Sequence, residues 1–146
     1  MTARTHPDDR GLAAVARVRG VRETDSRIGL QRMLMEESAV RGRLSSLESS
    51  VAAIEPAGTV PVGELVAQRT ALAGAAVLIG ETRDAVATAE VVSAEARARW
   101  ASDRSRLAAV EHLLERRAAR RRTEADRREA CEADDLAAQR WQRGAR

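Results

Sequence analysis

The chain has 146 residues, 44% apolar and 32% charged, with two Trp, no Phe or Tyr, and a net charge of +3. An apolar fraction carried mostly by Ala, Val and Leu cannot build wide layers of bulky side chains, which excludes a thick globular core and points to long thin helices packed along a seam. A lone Cys131 and two distant histidines, His6 and His112, exclude an internal disulfide and a structural zinc site.

Met1 to Arg10 is polar, and the apolar stretch that follows is interrupted by Arg17 and Arg19. No secretory signal is expected, and the chain is expected to remain soluble in the cytoplasm. The first helix is predicted over about residues 11–55. Its second half carries Leu30, Met33, Glu37, Val40, Leu44, Leu47, Val51 and Ile54 at spacings that alternate three and four, the coiled-coil period, broken only by Glu37. Traced backward, that phase meets Ser26, Glu23 and Arg19, while Val15, Val18, Val21 and Ile28 lie in other phases, so a shift of the seam is expected there.

Pro56-Ala57-Gly58-Thr59-Val60-Pro61 would break any helix, and residues 56–61 are read as the hairpin turn. Pro61 suits the first turn of a second helix, with Thr59 as its cap and Glu64 in the positive amino-terminal turn. That helix is predicted over about residues 61–141, within a single coiled-coil domain spanning 1–146. Its seam, Leu65, Gln68, Leu72, Ala75, Ile79, Thr82, Val86, Ala89, Ser93, Ala96, Trp100, Asp103, Leu107, Val110 and Leu114, keeps heptad spacing throughout. The longest weakly charged run, Ala71 to Gly80, falls well short of the ~20 residues that cross a bilayer, so no membrane insertion is expected. Small seam residues and the interior glycines Gly20, Gly29, Gly42, Gly74 and Gly80, each costing roughly 1 kcal/mol relative to Ala, predict soft helices that firm up on a partner.

A short turn makes the helices antiparallel and predicts Ile54 opposite Leu65, Leu30 opposite Ala89 and Leu12 opposite Leu107. The fold class is therefore all-α: a two-helix antiparallel coiled-coil hairpin whose longer second helix overhangs the first, from near Glu111 and for about 45 Å at 1.5 Å per residue. Past Leu114 the seam phase meets Arg117, Arg121, Glu124, Arg128, Cys131 and Asp135, and the apolar pattern ends.

Arg116, Arg117, Arg120, Arg121 and Arg122, with Arg127 and Arg128 following, form a belt whose guanidinium forks suit acidic groups on a partner. The bland alternative is a solvated helix held by i,i+4 pairs such as Glu124–Arg128. Nucleic acid is the competing ligand; Glu124, Asp126 and Glu129 would repel phosphates, and no aromatic accompanies the run. Trp100 is read as seam packing and Trp141 as a partner contact. No Gly-rich phosphate loop, nucleophile–base pair or metal-ligand cluster is present in the sequence, so no catalysis, no metal and no cofactor are expected.

Three stretches carry a family resemblance: Val15-Ala16-Arg17-Val18-Arg19-Gly20-Val21-Arg22-Glu23; Trp100 seven residues before Leu107, with Arg106-Leu107-Ala108-Ala109-Val110-Glu111-His112-Leu113-Leu114-Glu115-Arg116-Arg117; and Glu132-Ala133-Asp134-Asp135-Leu136-Ala137. The first resembles the amino-terminal part, and the other two, in order and spacing and without gaps, the carboxy-terminal part of the FliJ family of the flagellar type III export apparatus. The resemblance implies a non-enzymatic, stalk-like activator of the hexameric export ATPase, whose paired helix ends, here Leu12 to Arg22 with Leu107 to Trp141, enter the ATPase ring. It also implies contact with the membrane-embedded export gate protein through a face near Ala71, Ala75, Leu78 and Thr82, and binding of export chaperones. Other members carry an aromatic in that face where this chain has Ala. The implied location is cytoplasmic, peripheral to the inner face of the cell membrane at the flagellar base. The competing readings are an arginine-rich nucleic-acid-binding coiled coil and a scaffold of another secretion or cell-division assembly.

Overall fold

The architecture comes from a computed structural model that describes residues 6–54 and 58–144. Pro7–Asp9 forms a 3-10 turn, followed by α1 (Arg10–Ala52) and α2 (Val62–Gly144). The chain is all-helical, a hairpin with a longer second helix. Pro7 opens the 3-10 turn where its missing N–H has no partner to lose, and the His6 ring Nδ1 accepts from Asp8 N at 3.4 Å. At the far end of α1 the hydrogen bonds tighten, with Ile54 N donating to the Val51 carbonyl at 3.1 Å.

In the predicted turn, Pro56 and Ala57 lie outside the described residues. Pro61 stands immediately ahead of α2, and its carbonyl accepts from Glu64 N (3.0 Å) and Leu65 N (3.1 Å). The capping position is thus Pro61 rather than Thr59, which sits two residues too early for its hydroxyl to serve as the N-cap. Glu64 occupies the first turn of α2.

By contacts the chain divides into two units: Arg22–Asp103, and the segment up to Val21 with Arg104 onward. In the first unit the two helices run antiparallel along a thin seam. Leu30 is the one buried apolar side chain among the described residues, and the other buried positions of this unit are Glu23, Glu37, Thr82 and Ser93. The hydroxyls of Thr82 and Ser93 donate to the carbonyls of Leu78 and Glu90, which removes the cost of burying them. Met33, Val40, Leu44, Leu47 and Val51 on α1, and Leu72, Ala75, Ile79, Val86, Ala89, Ala96 and Trp100 on α2, are half-buried in the predicted phase.

The seam of α1 does not shift. Ser26 is half-buried and Glu23 buried in the original phase, and Ile28 is 49% exposed. In the second unit Leu12, Ala16 and Arg19 likewise keep that phase, with Val15, Val18 and Val21 exposed. Polar residues hold these seam positions because each has a partner or a solvent route, which hydropathy alone does not register. Glu23 Oε1 accepts from Trp100 Nε1 at 2.8 Å, and Ser26 Oγ donates to the Glu23 carbonyl at 3.1 Å.

The register differs from the predicted one by a heptad. Arg41 Nη2 donates to Glu90 Oε1 (2.5 Å), and Arg83 Nη2 to Glu48 Oε1 (2.7 Å). With Ile54 opposite Leu65, Arg41 would lie level with Leu78, and Glu90 would be about 18 Å further along α2, beyond the reach of the two side chains. These pairs and Glu23–Trp100 fit a register with Ile54 level with Leu72 and Leu30 level with Ala96. Ile54 and Leu65, expected to form the first layer, are 41% and 37% exposed. A heptad pattern is unchanged by sliding seven residues, so periodicity could not choose between the two.

Candidate partner-binding site

The second unit brings the 3-10 turn against α2. Asp9 is 3% exposed. Its Oδ1 accepts from Arg117 Nη1 at 3.3 Å, and its Oδ2 from Arg121 Nη2. The site exists because Asp9 falls in the seam phase one heptad before Ala16, and Arg117 and Arg121 continue the seam of α2 past Leu114. Hydrogen bonding from Arg121, above all, and then from Arg117 holds the Asp9 carboxyl below its usual pKa, against the opposing effect of desolvation.

Asp9–Arg117 sets Leu12 level with Leu114, so the predicted pairing of Leu12 with Leu107 is corrected by the same heptad. Pairing therefore extends to Arg121 instead of ending near Glu111. Beyond it, all described residues of 122–144 are exposed. This stretch of α2 is about 35 Å long at 1.5 Å per residue.

The arginine belt consequently has two parts. Arg117 and Arg121 are engaged by Asp9. Arg116, Arg120 and Leu113 line a shallow cleft of about 210 Å³ shared with the outer side of Arg117. Arg122 and Arg127 are exposed, and Arg128 Nε donates to Glu124 Oε1 at 3.3 Å. Trp141 is 76% exposed near the end of α2. Sequence reasoning missed Asp9 and Leu113; the signal for Asp9 was its place in the seam phase opposite two arginines spaced i,i+4.

The residues suggested for an export-gate face do not share one exposed surface. Thr82 is buried and Ala75 half-buried on the seam, leaving Ala71 and Leu78 outward. α2 also holds an 18-residue window of mean hydropathy 1.4, enough by length and composition to cross a membrane, with no residue of it buried. This corrects the reading from the run Ala71–Gly80, which treated any charge as an end, whereas a window that tolerates two charged residues qualifies. Within that run, Leu72, Ala75 and Ile79 are half-buried at the seam positions. Among the described residues no group of three or more His, Cys, Asp or Glu converges as a metal site.

A family model, that of the flagellar FliJ protein, matches residues 9–146. The chain belongs to the FliJ family. No curated protein and no solved structure matches it. Membership makes the chain a component of the cytoplasmic flagellar export apparatus, and the FliJ family is a non-catalytic coiled-coil component of that apparatus. The matched FliJ region begins at Asp9 and runs through the whole arginine belt.

Proposed function

We propose that this chain is a stalk-like, non-enzymatic activator of the hexameric flagellar export ATPase, acting at the cytoplasmic face of the membrane and linking the ATPase to the export gate and to export chaperones. The observation that carries this reading is the arginine belt of α2, in which Arg116, Arg120, Arg122 and Arg127 have no acidic partner among the described residues, within a chain of the FliJ family. Arginines distributed around a helix can meet carboxylates at several rotational positions of a ring, which suits a polar inner wall. Export-gate contact, in this reading, uses the outward residues Ala71 and Leu78, since Thr82 and Ala75 belong to the seam. In this reading α2 is not inserted in lipid, since Leu72, Ala75 and Ile79 serve the pairing with α1. Nucleic acid is not the ligand, because Glu124, Asp126 and Glu129 interrupt the basic surface.

The test is co-purification of the full chain with the cognate export ATPase, with the rate of ATP hydrolysis read in the same preparation. Complex formation with an increased rate is expected. A chain that neither binds the ATPase nor changes its rate would sink the reading.

A further inference from the structure

We infer that the Leu113–Arg116–Arg120 face is a partner-facing element of the arginine belt, and that it takes an acidic protein segment carrying two carboxylates about one helical turn apart and an apolar side chain beside them. The inference rests on the proposed ATPase reading and specifies which surface serves it and what chemistry it accepts.

Leu113, Arg116 and Arg120 follow one another at spacings of three and four and so share one face of α2. Among the described residues neither Arg116 nor Arg120 has an acidic partner, whereas Arg117 and Arg121, one position further round the helix, are both satisfied by Asp9. Arg116 and Arg120, together with Arg117, line a shallow, mainly apolar cleft with Leu113, which is 39% exposed. The four-residue step between the arginines is about 6 Å of helix rise, the spacing of acidic side chains at i,i+4 of a partner helix. Charge complementarity therefore selects carboxylates, and the apolar floor selects a segment with a hydrophobic residue over a bare phosphate backbone. Arg117 and Arg121 are positioning residues: they hold the 3-10 turn and end the pairing, but their forks already face Asp9.

Binding of the full chain to the export ATPase separates the two sets. Arg116→Glu with Arg120→Glu should weaken binding by about tenfold or more without changing helicity or the melting temperature. Arg117→Glu with Arg121→Glu should lower the melting temperature; adding Asp9→Arg, which restores the pair with reversed sign, should recover both melting and near wild-type binding. The inference alone is overturned if the wild type binds and Arg116→Glu/Arg120→Glu binds equally well, or if the refolded charge swap remains defective in binding. A wild-type chain that fails to bind the ATPase overturns the functional reading as well. Tighter binding to duplex DNA than to the ATPase, lost in Arg116→Glu/Arg120→Glu, would overturn the assigned partner class.

Discussion

Asp9 is nearly inaccessible and is held by two guanidinium groups, so its removal should be felt locally at the start of α1. Its carboxyl pKa is lowered in the folded chain, and the sign of the pH dependence follows. The stabilisation is present above the unfolded carboxyl value and is lost as pH falls through the folded value. Asp9→Asn should thus speed amide exchange near Leu12 and Leu114 at neutral pH, and the difference from wild type should vanish in acid. A difference that grew in acid would contradict the assignment. Trp100 offers a second residue-level check. Trp100→Phe keeps a ring on the seam but removes the donor to Glu23, and should cost about 1–3 kcal/mol in urea unfolding.

At the scale of the helices, the softness expected from interior glycines has a direct test. A Cβ added at Gly42 or Gly80 meets nothing within 4 Å. Gly42→Ala and Gly80→Ala should therefore each stabilise by about 1 kcal/mol, additively, by denaturant titration. Glu37 is a different case: 5% exposed, it gives one oxygen to Arg41 at 2.6 Å, while its Oε2 has no hydrogen-bond partner among the described residues. Glu37→Leu would complete the apolar seam at the one position between Leu30 and Val51 where it is interrupted, and should raise stability by about 1–3 kcal/mol. The continuing phase of α1 carries a related lesson. Val15, Val18, Val21 and Ile28 look like seam residues by hydropathy, yet they face outward because Arg19, Glu23 and Ser26 keep the helix in its original rotation. Apolar character is a weak guide where most seam residues are small, since each buries little area at ~25 cal/mol per Å².

At the scale of the whole chain, the register decides which arginines are engaged by Asp9. Cysteines at Leu44 and Thr82, in a background with Cys131 replaced by Ser, should cross-link on oxidation, whereas cysteines at Leu44 and Ala75 should not. The two registers differ by about 10 Å, while a disulfide tolerates Cα separations up to about 7 Å. Two helices, their antiparallel sense, their heptad faces, the longer α2 and the FliJ resemblance were all legible from periodicity, proline placement and residue order. Each of these is set by local geometry, a 3.6-residue turn and a ring that cannot donate a hydrogen bond. The level at which the helices meet was not legible, since sliding by seven residues leaves a heptad pattern unaltered. Long-range polar pairs, Asp9 with Arg117 and Arg121, Glu23 with Trp100, Arg41 with Glu90, single out one of those equivalent registers, and directional hydrogen bonds between residues far apart in the chain exist only once the helices are packed.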